Sequence, residues 1–376
     1  MRPIAYLDHN ATSPLRPAAF DAMAEALRMG GNPSSVHASG RRARATVDKA
    51  RREVASLCGA ASSEVVFTSG GTEANNLALS GAGRRRVLVS AVEHDSVRRA
   101  VPHAEVLPVD GDGVLDLAAL ERALATSAEP ALVSVMLANN ETGVLQPIRE
   151  VVRLAQSAGA LVHCDAVQGA GKVPVGLRDL GVDYLSLSAH KIGGPTGVGA
   201  LMVRKSAPLS SALRGGGQES NRRAGTENVA GIAGFGAAAV LAASTPDLAG
   251  LRDGLEFSLV QIAPPAAVFG AGAPRLSNTS CISMPGVPAE TQVVALDLAD
   301  VCISAGAACS SGRVKPSSVL EAMGVPATEA ACAIRVSLGW NTKAADIECL
   351  IAAWKDLYLR VKHSDISRAD PQARAA

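Results

Sequence analysis

Lys191 is the residue of this chain best placed for covalent chemistry. It follows a strand-like apolar run at 183–189 (DYLSLSA) and sits directly after His190. A turn with Gly193, Gly194, Gly197 and Gly199 comes next. Burial disfavours an ammonium, so a lysine at the end of a buried strand is drawn toward the neutral amine, the form that makes Schiff bases. The competing reading is a solvated loop lysine, the usual fate of that residue. A second run, 160–168 (ALVHCDAVQ), carries Asp165 at a strand end. A Schiff-base lysine with an aspartate for a pyridinium nitrogen is the protein half of pyridoxal phosphate (PLP) chemistry.

Other residues fit the same chemistry. A phosphate ester needs backbone donors and hydroxyls at a helix amino terminus. The run 67–79 (FTSGGTEANNLAL) offers a strand, Gly70 and Gly71, then Thr72 at the expected cap; taken alone it is a common strand-to-helix turn. His94, in SAVEHDSV, follows another strand end and suits either a structural histidine or ring stacking with proton transfer. Asn139, Asn140 and Glu141 end the strand LVSVMLA. Cys309 lies in 303–315 (ISAGAACSSGRVK), a small-residue stretch with the composition of a mobile loop. Arg313 and Lys315 nearby favour its thiolate, which sets a nucleophile against an incidental loop cysteine.

These residues must be carried by alternating elements. Val47, Ala50, Val54 and Leu57 have helical spacing. Strand patterns at 64–68, 87–90, 105–109, 131–138, 160–165, 183–189 and 198–203 alternate with helices from Thr72, after Asp116 and at 148–157. Such alternation predicts an α/β fold, a mostly parallel sheet between helices, with ligands at the carboxyl ends of the strands. After about Thr245 the rhythm changes, and Ile347, Leu350, Ile351, Trp354, Leu357, Tyr358 and Val361 form one helical stripe. The expected division is a larger PLP-binding domain, 16–245, and a smaller α+β domain, 1–15 with 246–376, that carries the loop 303–315. The polar tail from His363 is expected to fray.

Composition narrows the class. The chain has 376 residues, 48 % apolar and 19 % charged, enough for a large core and an ordinary globular profile. A net charge of +1 gives no footprint for nucleic acid or membrane. The amino terminus (MRPIAYLDHN) lacks signal-peptide order and no apolar stretch reaches spanning length, so a reducing cytoplasm is the expected location. Seven cysteines without a C-x-x-C pair argue against a disulfide framework or a zinc ribbon, and no metal is expected. No Walker-type or G-x-G-x-x-G motif supports a nucleotide-binding module.

With these residues assembled, the chain resembles cysteine desulfurases of the NifS/IscS type, in the class V aminotransferase group of fold-type I PLP enzymes. The resemblance runs from about Tyr6 (YLDHNATSP) to Gly339 through GNPSSVH, FTSGGTEANN, EHDSV, NNETG, HCDAVQ, SAHKIGGPTG, RRAGTEN and AGAACSSG, in the family's order. It implies that Lys191 holds PLP and moves the substrate Cα proton, and that Asp165 partners the ring nitrogen. Gln168 corresponds to the donor to the ring oxygen and His94 to the stacking, proton-shuttling histidine. Thr72, with Gly71, Ser188 and His190, corresponds to the phosphate anchors. Thr226 is similar to the threonine lent by a neighbouring subunit, which implies a homodimer. Asn140, Arg335 and Asn32 match groups near the substrate carboxylate; an arginine fork also suits a carboxylate on physical grounds. Cys309 matches the cysteine that takes sulfur from L-cysteine as a persulfide, leaves L-alanine, and passes the sulfur to an acceptor such as an iron–sulfur scaffold. The alternatives are a selenocysteine lyase, another lyase or aminotransferase of this fold, and a non-catalytic sulfur-assembly scaffold. Two departures from the family pattern stand out: Ala307 where a serine is common, and residues 218–221 (QESN) where a more basic run is usual.

Overall fold

The structure is a computed structural model and describes residues 4–306 and 317–369. Cys309, Ala307, Arg313 and Lys315 lie outside the described residues. The chain forms two compact units, one of Thr12–Asn140 and Val144–Thr245, the other from Met1–Ala11, Glu141–Gly143 and Pro246–Ala376. The first strand, β1 (Ala5–Tyr6), belongs to the smaller unit.

The larger unit is built on β2 (Val65–Thr68), β3 (Arg86–Ser90), β4 (Glu105–Leu107), β5 (Ala131–Ser134), β6 (Leu161–Asp165), β7 (Tyr184–Ser188) and β8 (Gly199–Val203). They form one sheet in the order β2-β8-β7-β6-β5-β3-β4. Alternate side chains feed two cores. Val65, Phe67, Leu88, Val133, Val162 and Leu185 enter one, with Val47, Val54 and Val151 of the covering helices. Val66, Val87, Val89, Leu132 and Leu201 enter the other, with Ala74, Leu77 and Ala78 of the helix Gly71–Gly81. A sheet buried on both faces explains why its strands read as continuous apolar runs.

β3 pairs in parallel with β4 and β5, β5 with β6, and β6 with β7. The strand expected at 198–203 departs from this pattern: β8 runs antiparallel to both β7 and β2. Residues 189–198 are too few for the crossover that a parallel neighbour needs. Two reversals leave β2 running the same way as β7, so the carboxyl ends of β2, β3, β5, β6 and β7 share one edge. The run expected as a strand to residue 138 is assigned only to Ser134. Its pairing continues, however, because the N–H groups of Val135 and Leu137 donate to the carbonyls of His163 and Asp165.

The smaller unit contains β9 (Thr279–Ser283), β10 (Val301–Cys302), β11 (Ser304–Ala305) and β12 (Ala333–Ser337). β11, β12 and β9 form an antiparallel sheet, and β1 pairs in parallel with β10. Trp354, Leu350 and Leu255 fill its core with Ile303 and Ala305. Residues 303–305, expected in a loop, are not loop: Ile303 and Ala305 are core side chains and Ser304 pairs with Arg335. The last helix runs from Ala344 to Ala369, past the expected fray at His363; each residue added to a formed helix gains a hydrogen bond for one residue fixed. Among the described residues, no helix is long and apolar enough to cross a membrane.

Candidate active site

The shared edge of the larger sheet gathers polar side chains that the core strands position. Asp165 ends β6 and is 6 % exposed. Its Oδ1 accepts from the Val167 N–H (3.0 Å) and its Oδ2 from Asn75 Nδ2 (2.7 Å), both neutral donors. The same Asn75 nitrogen donates to Ser96 Oγ (2.9 Å), and Ser96 Oγ lies 2.8 Å from His94 Nδ1. His94, after β3, caps the short helix Asp95–Arg98, its Nδ1 accepting the Ser96 N–H at 3.1 Å. Asp165 and His94, far apart in sequence, are thus joined by two residues that the sequence reading did not assign. Their only sequence signal is an asparagine on the sheet-facing side of the helix Gly71–Gly81 and a serine two residues after His94.

The side chains beneath this edge are buried. His163 bridges Ser134 Oγ (2.8 Å) and Ser186 Oγ (2.9 Å) across three strands, and burial lowers its pKa to about 4. Glu93 is 3 % exposed, with Oε1 accepting the Met136 N–H at 2.6 Å and Oε2 buried without a hydrogen-bond partner. Burial pushes its pKa well above the ordinary carboxylate value. Gln168 is buried and accepts from Lys172 Nζ at 3.1 Å. Lys191 ends the 3-10 turn Ala189–Lys191 directly after β7 and is half-buried. Burial and then the Lys191 charge lower the pKa of His190 to about 4, so it is neutral at neutral pH.

A second corner lies where β2 meets the helix Gly71–Gly81. The cap is Gly70, without a side-chain hydrogen bond, and Thr72 falls inside the first turn instead of at the cap. The start is earlier than expected because Glu73 reaches back to the Ser69 N–H (2.7 Å) and the two glycines allow close approach. A Cβ on Gly71 would meet Val167 Cγ2 at 2.9 Å and Ser188 Cβ at 3.5 Å, and one on Gly199 would meet the Gly70 carbonyl carbon at 2.6 Å. Gly71 and Ser188 are therefore neighbours. His190 Nδ1 lies 3.1 Å from Thr12 Oγ1.

The segment bearing Thr226 is anchored to the same elements. Arg223 Nε donates to Glu73 Oε1 at 2.8 Å. Glu219 is 7 % exposed, takes both arms of Arg51 (2.6 and 2.7 Å) and accepts the Phe67 N–H. Glu219, Ser220 and Asn221 all have left-handed backbones, with φ of 48°, 57° and 62°. This conformation costs roughly 1–2 kcal/mol per non-glycine residue, which the buried Glu219 contacts offset. Thr226 itself is exposed. Asn32 is also exposed, its Oδ1 accepting the Ser34 N–H at 2.9 Å, and Asn140 is half-buried at the end of its segment.

Arg335 belongs to the smaller unit, on β12, and is 3 % exposed. Its Nη2 donates to Asp8 Oδ1 at 2.9 Å, while Ser304 on the neighbouring strand donates to Asp8 Oδ2 at 2.7 Å. The NNETG run is divided between the units. Glu141 belongs to the smaller one and accepts from Ser317 Oγ at 2.5 Å.

Residues 5–350 match the model of the aminotransferase class-V family. The chain belongs to this family. It is 48 % identical over 363 residues to a cysteine desulfurase of Cereibacter sphaeroides, covering 92 % of this chain and 93 % of that one. It is 41 % identical over 366 residues to a cysteine desulfurase IscS of Dictyoglomus turgidum, with 92 % of each covered. A NifS-like protein from Rickettsia africae superposes with a TM-score of 0.87 at 36 % identity, covering 94 % of this chain and 99 % of that one. The class-V family and its cysteine desulfurases are PLP-dependent, and the mostly parallel sheet between helices is their fold type I.

The larger unit fits that group. Among the described residues the buried Asp165 carboxylate is met by neutral donors, which leaves its charge for a cation such as a protonated ring nitrogen. A helix start capped by glycine leaves first-turn N–H groups for a phosphate. Asp165, Gln168, His94, Lys191, Gly71, Thr72, Ser188 and His190 are the residues that would hold PLP there.

Proposed function

We propose that the chain is a cysteine desulfurase that converts L-cysteine to L-alanine and carries the released sulfur on Cys309. The observation that carries this reading is Asp165, a buried carboxylate with neutral partners at the sheet edge where β7 delivers Lys191. PLP, when bound, supplies the electron sink for bond breaking at the substrate carbons. The Lys191 amine holds the cofactor and carries the Cα proton on Nζ. Asp165 keeps the ring nitrogen protonated, Gln168 donates to the ring oxygen, and His94 covers the ring and exchanges protons. Gly71, Thr72, Ser188 and His190 hold the phosphate. Arg335, Asn140 and Asn32 act on the substrate carboxylate. The Cys309 thiolate attacks Sγ, so that an S–S bond forms as Cβ–Sγ breaks, and the electron pair left at Cβ takes a proton to give the alanine methyl group.

The working state is a homodimer in which each subunit lends Thr226 to the other's phosphate. The acceptor is a protein such as an iron–sulfur scaffold, in the cytoplasm. Purified protein with added PLP and a reductant should release alanine and sulfide in equal amounts from L-cysteine. Bound PLP without alanine would contradict the reading, and faster turnover of selenocysteine would reassign the substrate.

A further inference from the structure

The chain of bonds between Asp165 and His94 has a direction. Asn75 Nδ2 can only donate, and it donates to both Asp165 Oδ2 and Ser96 Oγ. Asp165, an acceptor when ionised, fixes which end of the amide is the nitrogen. Asn75 Oδ1 is buried without a hydrogen-bond partner among the described residues, so the amide is oriented there by its donors. Ser96 Oγ accepts from Asn75, and its own proton is available to His94 Nδ1, 2.8 Å away. The Ser96 backbone N–H, which also can only donate, meets the same Nδ1 at 3.1 Å. One fixed donor and one hydroxyl able to donate meet the same ring nitrogen.

We infer that Nδ1 of His94 is held as a lone-pair acceptor, so that Nε2 is the atom through which this histidine exchanges protons. Ser96 and Asn75 are the positioning residues that enforce this arrangement. The second nitrogen of a histidine is set by the hydrogen bond the first one makes, and here the setting reaches back to the carboxylate assigned to the ring nitrogen. The inference rests on the functional reading for the roles of His94 and Asp165, but not for the state of the ring. If Asn75 loses its amide, the Ser96 hydroxyl is free to turn, and only the Ser96 backbone N–H still holds Nδ1 as an acceptor.

The test is nitrogen-15 NMR of histidine-labelled, PLP-reconstituted protein at neutral pH, with the His94 signals assigned by a His94→Gln variant. The expected result is an unprotonated Nδ1 and a protonated Nε2 in the unaltered protein. Asn75→Leu should raise the population protonated at Nδ1 and lower kcat on L-cysteine about fivefold, with KM held within about twofold. Ser96→Ala should act in the same direction, and Ser96→Thr, which keeps the hydroxyl, should restore the original ring state. A protonated Nδ1 in the unaltered protein would overturn the inference. So would an unchanged ring in both Asn75→Leu and Ser96→Ala, and the serine variants carry the test if Asn75→Leu does not fold. Protein that binds no PLP overturns the functional reading instead, and the ring state read on the same sample still decides this one.

Discussion

Asp165 in the larger unit and Arg335 in the smaller are both buried charges, and the fold treats them differently. Asp165 is met by an asparagine and a backbone N–H, so its charge is oriented but not neutralised. Arg335 already shares its charge with Asp8, which is itself fixed by Ser304. A charge without a counter-ion suits a resident cationic ring, because the group is in place through every turnover. A charge with a built-in counter-ion suits a ligand that comes and goes, because the arginine is never left unpaired in a dry site. Changes at the first kind of position should therefore strike turnover, and changes at the second should strike binding.

The largest effect is expected at Lys191. Lys191→Ala should lower alanine formation by about 10⁴-fold or more, since the proposed roles of this amine are both to hold the cofactor and to move the proton. Asp165→Asn keeps the shape and removes the charge; kcat should fall about 10²–10³-fold, the range for losing one preorganised electrostatic contact. Steady-state rates on L-cysteine check both, and a loss confined to KM would break the comparison. Arg335→Lys keeps the charge but loses the planar fork. It should raise KM about tenfold while kcat changes less, and the reverse pattern would contradict the contrast drawn with Asp165.

Legibility in the sequence followed the range of the interactions. The placement of Lys191, Asp165 and His94 at or just after strand ends could be read because each follows an apolar run, and such runs mark the strands of a sheet buried on both faces. The reversed direction of β8 could be deduced only from counting residues 189–198, and an alternation pattern alone hid it. The cap at Gly70 was masked by Thr72, a residue type that usually takes that place; the bond from Ser69 to Glu73 decides otherwise. Asn75 and Ser96 were not legible, since their meaning lies in partners distant in the chain, and a polar residue on a helix says nothing of which carboxylate it will meet. The Asp8 partner of Arg335 was hidden for the same reason.

The smallest effect concerns the buried layer under Asp165. His163 has a folded pKa of about 4 against 6.5 for the free side chain, because burial disfavours its charge. The stability tied to its neutral form is complete above pH 6.5 and is lost as pH falls from there toward 4 and below. The loss amounts to about 3 kcal/mol. Thermal unfolding followed between neutral and acid pH should therefore show a steeper acid loss than in a His163→Asn variant. Equal slopes would mean that the layer is wetter than its geometry implies, and would weaken the case for an unneutralised Asp165 above it.

Cys309 is the residue proposed to receive the sulfur. The most direct measurement is peptide mass spectrometry of the PLP-loaded protein after L-cysteine is added without a reductant. One extra sulfur atom on the peptide that contains Cys309, absent from a Lys191→Ala variant, is the predicted result. Alanine formed with no sulfur on that peptide, or undiminished sulfur delivery by Cys309→Ser, would contradict it.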